Sequence, residues 1–111
     1  MPTLDLPPRF MEIMLRLLAA HLPNEEVWAY GSRVNGRSHA GSDLDLVLRH
    51  PSDLTLPQKN LAILREAFRE SDLPILVDLI DWARIPQSFR REIEREHVMV
   101  QPRDRSVPAV G

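Results

Sequence analysis

Residues 43–48 read Asp-Leu-Asp-Leu-Val-Leu, and alternation of period two over six residues marks a β-strand whose two faces meet different surroundings. Leu44, Leu46 and Leu48 share one face, and Asp43, Asp45 and Val47 share the other. Leucines beside each acid predict a central, largely buried strand, where carboxylates without compensation are costly. The Cα atoms of Asp43 and Asp45 would lie roughly 6.5–7 Å apart, so both side chains can reach one hard cation. Such a cation would remove the cost of burial.

The segments around this strand supply its cover. Pro7 and Pro8 precede Phe10, Ile13, Met14, Leu17 and Leu18, whose spacing predicts an amphipathic helix ending near Pro23. Residues 25–32 read as a first strand running into a turn at Gly31, and residues 33–42 as a polar loop that opens with a short helical turn. Leu61, Leu64, Ala67 and Phe68 predict a second long helix, residues 74–82 a third strand, and residues from Pro86 to Val100 a last helix with Phe89, Ile93 and His97 inward. The order is helix, strand, short helix, strand, helix, strand, helix. It predicts a small α/β (α+β) fold, a mixed β-sheet covered by helices with a site at one rim. Residues 1–111 form one domain in this reading, with a core over about 7–98 and a tail, 99–111, that is flexible or dependent on a partner.

Size and charge exclude several functions. A chain of 111 residues closes one modest core and has no room for separate catalytic and recognition domains, so the second half of any active site is expected from a partner. A net charge of −2 gives no drive toward nucleic acid or anionic membrane. The absence of cysteine removes disulfides, thiolate nucleophiles and sulfur-ligated zinc. His21, His39, His50 and His97 have no metal-ligand spacing. Every apolar run is broken well before the ~18 residues of a membrane span, and the first residues do not form a signal peptide. A cytoplasmic location is expected.

Two further features bear on chemistry. Asp78 is the single interior charge of Ile75-Leu76-Val77-Asp78-Leu79-Ile80; burial there requires an arginine, a cap or a cation, and adjacency of the third strand to the second would set it beside Asp43 and Asp45. Asp81, at the strand end and on the other face, reads as the cap of the next helical segment. Gly31 and Ser32 follow the first strand at once, and small residues there let backbone donors and a hydroxyl approach a phosphate, with an Arg33 or Arg37 fork to add charge. His39 reads as a solvated loop residue, Trp28 and Trp82 as core or interface aromatics, and residues 90–96 as a solvated charged face.

Gly31-Ser32, ten intervening residues, then Asp43-Leu44-Asp45 resembles the signature of the DNA polymerase beta-like nucleotidyltransferases, and the chain is most similar to the minimal nucleotidyltransferase family within them. The resemblance runs over about residues 26–82 and includes Arg33, Gly36, Ser42 and a third aspartate, Asp78. It implies the polymerase beta-like fold, with Gly31 and Ser32, supported by Arg33 and Ser42, at the phosphates of ATP. It implies two magnesium ions on Asp43 and Asp45, and a role for Asp78 in completing the metal site and activating the attacking hydroxyl. It further implies an antitoxin that transfers AMP to a tyrosine of a helical HEPN-domain toxin encoded nearby, in a hetero-oligomer. The alternatives are a non-catalytic antitoxin or scaffold that neutralises its partner by contact, and the same transfer chemistry directed at a small molecule or a nucleic-acid end.

Overall fold

The computed structural model describes residues 2–104 and opens its first helix on a proline pair. Pro8 sits in the first turn of α1 (Pro8–His21), where a missing N–H leaves no helical bond unmade, and the Pro7 carbonyl accepts from the N–H groups of Phe10 and Met11. Ile13, Met14 and Leu18 form the inward side of α1, and Pro23 follows just after its cap at Leu22. β1 (Glu26–Tyr30) turns Val27 and Ala29 the same way. A four-residue helical turn, α2 (Ser32–Asn35), and a polar loop lead into β2 (Leu44–Arg49). Leu44, Leu46 and Leu48 are all 0% exposed, each worth about 1.5–3 kcal/mol of burial.

α3 (Leu61–Arg69) buries Leu64 and Phe68 and carries the chain across to β3 (Val77–Asp81). β3 is therefore parallel to β2, as a helical crossover requires, whereas β1 is antiparallel to both β2 and the last strand. With a last strand, β4 (Val98–Gln101), the sheet order is β3-β2-β1-β4. A 3-10 turn (Trp82–Arg84) and α4 (Gln87–Arg95) precede β4.

β4 departs from the expected helix and loose tail. The chain leaves helical geometry at Glu96, and Val98 and Met99 pair with Ala29 and Trp28 at the free edge of β1. His97 stacks on Trp28 with ring centroids 3.8 Å apart. Gln101 then donates to the carbonyls of Leu22 and Glu25, both at 2.8 Å, and the Asp104 N–H to that of Asn24. The ordered core thus reaches past residue 98, while residues 105–111 of the expected tail lie outside the described residues.

The two faces of the sheet are covered unequally. α1 and α3 seal one face over Val27, Ala29, Leu44, Leu46, Leu48 and Leu79. On the other, α4 and the 3-10 turn close over Val47, Trp82 and Ile93. The Arg49 guanidinium finishes that end, 3.9 Å from the Trp28 ring centre, 4.7 Å from that of Trp82, and paired with Glu26. At the opposite end of the same face, Asp45 is only half-buried and Asp43 and Asp78 are exposed.

Candidate functional site

Strand register assembles the site. Tyr30 on β1 is the partner of Asp45 on β2, and Asp45 is the partner of Asp78 on β3, so the three side chains form a row across the incompletely covered face. Asp43 lies two residues before Asp45, at the mouth of β2. The adjacency of the third strand to the second, expected from the sequence, sets Asp78 beside Asp45.

The expected burial is not. Asp43 and Asp78 face solvent, because the apolar residues beside them point to the sealed face while the cover of the second face ends around Val47 and Trp82. Asp45 bears a desolvation cost. Burial, then the Asp78 carboxylate, then that of Asp43, push its carboxyl up to about 6. The phenol of Tyr30 is also pushed upward, first by burial and then by Asp45 and Asp78, and so stays neutral. Among the described residues Asp78 has no ion pair or hydrogen bond through its carboxylate, so neither the arginine nor the cap that burial would have required is there.

Gly31 joins this row to α2. Its φ of 81° and ψ of −153° fall in a region that only glycine occupies readily, and a Cβ there would stand 2.4 Å from Asp45 Oδ2. The Gly31 carbonyl accepts from the N–H groups of Val34 and Asn35 at 3.0 and 3.1 Å, which closes the helical turn. Ser32, the first residue of that turn, is partly exposed next to the contact.

Arg33 and Ser42, expected at a phosphate, are instead built into the loop. Arg33 is 3% exposed, and its guanidinium donates to the carbonyls of Ser42 at 3.0 Å, Asp5 at 2.9 Å and Ala40 at 3.1 Å. The Ser42 hydroxyl accepts from the His39 N–H at 2.9 Å. An arginine ringed by carbonyls is a brace for residues 36–43, the segment that delivers Asp43 to the rim. His39 is exposed, as expected, and its Nδ1 accepts from the Gly41 N–H. Asp81 is a cap, as expected, accepting from Ala83 N–H at 3.1 Å.

Sequence reasoning missed Tyr30 and the groove beside it. Tyr30, Gly31, Asn35, Phe89, Glu92 and Glu96 line a hollow of about 290 Å³ between α2 and α4. The alternation of β1, with Val27 and Ala29 on one face, already put Tyr30 on the other; its place beside Asp45 needed the register.

The three aspartates offer only carboxylate oxygens, a donor set suited to a hard divalent cation. Among the described residues no three His, Cys, Asp or Glu side chains are gathered closely enough to hold a metal ion by themselves. An open rim of this kind leaves room for donors from a bound phosphate, which magnesium sites commonly use. No helix among the described residues is long and apolar enough to cross a membrane.

Residues 9–100 match the family described as "Nucleotidyltransferase domain". The chain is 38% identical over 104 residues to "Probable protein adenylyltransferase MntA" of Haemophilus influenzae, an overlap that covers 94% of this chain and 90% of that one. A solved structure titled "Crystal structure of the toxin-antitoxin with AMP-PNP" has a TM-score of 0.67 to this chain, covering 86% of it and 76% of its counterpart, at 19% identity. At that identity the likeness is one of fold.

Proposed function

Since the chain belongs to the nucleotidyltransferase domain family, we propose that it transfers AMP from ATP to a tyrosine hydroxyl of a helical HEPN-domain partner encoded nearby, and so acts as that partner's antitoxin. The observation that carries this reading is the in-register row of Asp45 and Asp78, with Asp43 beside it and Gly31 directly against the Asp45 carboxylate. The adenylyltransferase name of the Haemophilus relative and the toxin-antitoxin title of the structural neighbour support the choice of acceptor class.

In this reading Asp43, Asp45 and Asp78 hold two magnesium ions, and Gly31 and Ser32 approach the β- and γ-phosphates. Bound magnesium supplies charge neutralisation on the attacking and leaving oxygens of an in-line displacement. The acceptor oxygen bonds to the α-phosphorus as the bond to the β-phosphate bridge breaks and pyrophosphate leaves. Asp78, facing solvent at the rim, takes the hydroxyl proton. Arg33 acts at one remove, by holding the loop that positions Asp43. The open rim is where the partner's hydroxyl enters.

Incubation of the chain and its genomic neighbour with labelled ATP and magnesium tests the proposal. The neighbour should gain the mass of one AMP, and the Asp43→Ala/Asp45→Ala variant should bind the neighbour without modifying it. Full inhibition of the neighbour by that variant would replace catalysis with neutralisation by contact. Modification of a small molecule or a nucleic-acid end in place of the neighbour would replace the acceptor.

A further inference from the structure

The groove between α2 and α4 has a composition that phosphate does not explain. Tyr30 and Phe89 meet edge to face, ring centroids 5.7 Å apart, and form its apolar part. Glu92, one helical turn beyond Phe89, and Glu96, at the cap of α4, contribute carboxylates to the same groove. Both glutamates are exposed, and neither makes an ion pair among the described residues, although Arg90, Arg91 and Arg95 lie on the same segment. Glu96 stands just past the last turn of α4 in extended geometry, and an acid at a helix C-terminus is disfavoured by the helix dipole, so helix stability does not account for it. Asn35 closes the groove from α2; its Oδ1 accepts from the Arg37 N–H at 3.0 Å, which leaves the side-chain NH2 as a donor.

Two carboxylates repel the phosphate end of a nucleotide. They accept well from N–H and O–H groups, and the aromatic pair offers an apolar surface to a flat ring. At about 290 Å³ the groove sits near the lower limit of small-molecule pockets, about 300 Å³, a size for a base and sugar and too small for an entire triphosphate. Tyr30 and Gly31 line it and also adjoin Asp45, so it is continuous with the carboxylate row.

We propose that this groove is the subsite for the nucleoside of the donor, and that Glu92 and Glu96 select a base carrying an exocyclic amino group. This rests on the nucleotidyl-transfer reading and adds to it the residues that choose the donor. Adenine presents an amino group where hypoxanthine presents a carbonyl oxygen, which a carboxylate rejects.

Binding of ATP, inosine triphosphate and inorganic tripolyphosphate to the full chain with magnesium, by titration calorimetry, provides the test. The intact chain should bind ATP at least about tenfold more tightly than inosine triphosphate. Glu92→Gln/Glu96→Gln replaces exposed acceptors by groups that both donate and accept, and should narrow the ratio to within about threefold. Phe89→Leu should weaken both nucleotides and leave the ratio unchanged. Equal affinities in the intact chain, an unchanged ratio in the double variant, or tripolyphosphate bound as tightly as ATP would each overturn the subsite while the transferase reading stands. If none of the three ligands binds, the transferase reading falls and the subsite falls with it.

Discussion

Asp78 and Asp81 lie three residues apart on one strand and live in opposite circumstances. Asp81 is 4% exposed and fully employed: its carboxylate accepts from the Ala83 N–H, from the Gln58 N–H at 2.8 Å and from Arg84 Nε at 3.2 Å. Asp78 is exposed, and its partner across the strands is another carboxylate, Asp45. The same division holds between the two ends of the sheet. Glu26 is matched by Arg49 and Asp81 by Arg84, whereas Asp43, Asp45 and Asp78 lie at the other end and form no ion pair among the described residues. Arg33, the buried arginine among the described residues, gives its donors to carbonyls. Acids that hold the fold are compensated within the fold; acids left mutually repulsive on an open face contribute nothing to it, and the proposed transfer chemistry is what gives them a use.

Removing the compensated acid should cost the most. Asp81→Ala leaves the partly buried N–H groups of Gln58 and Ala83 without their acceptor, and should lower unfolding stability by about 3 kcal/mol. Asp78→Ala on the same strand should change it by less than about 0.5 kcal/mol. Urea unfolding of the two variants side by side measures this, and equal losses would erase the distinction between the two ends.

How far the sequence revealed this division depends on how local each cause was. The leucine alternation of β2 and the capping role of Asp81 were legible, since both follow from a few adjacent residues. The exposure of Asp78 was not, because its apolar neighbours describe one face while its burial depends on how far a helix from elsewhere extends over the other. β4 was hidden for a similar reason. The helical pattern of residues 87–95 runs smoothly into Val98, and only the unpaired edge of β1 converts the next four residues into a strand. Arg33 follows Gly31 and Ser32 whether its side chain turns toward a phosphate or back into the loop, so its bracing role required coordinates.

Gly31→Ala probes the join between the carboxylate row and α2. The backbone region alone should cost about 2 kcal/mol, and the added methyl collides with Asp45 Oδ2 at 2.4 Å. In the Gly31→Ala/Asp45→Ala double variant the collision is gone while the backbone cost remains. A double-mutant cycle should therefore return a coupling of about 1 kcal/mol, with the double variant more stable than the sum of the singles. Additive losses would mean that the glycine serves conformation alone and leaves the carboxylate where it is.

The smallest effect tests the electrostatic half of the comparison. Burial and the neighbouring carboxylates push the folded Asp45 carboxyl up to about 6, above the ordinary aspartate value of about 3.9, so between these pH values the folded chain holds a proton that the unfolded chain has released. Its contribution favours folding below about pH 4 and is lost as pH rises through 6. Because the group is half-exposed, solvent screening reduces the expected loss to about 1 kcal/mol. With divalent ions chelated, the stability of the intact chain relative to Asp45→Asn should therefore fall by about that amount between pH 4 and 7. Magnesium should restore part of it at pH 7 in the intact chain and less in the variant, since a cation favours the ionised row that acid otherwise protonates. Parallel stability curves for the two proteins would show that Asp45 pays no penalty for its neighbours, and the open end of the sheet would then be no more strained electrostatically than the closed one.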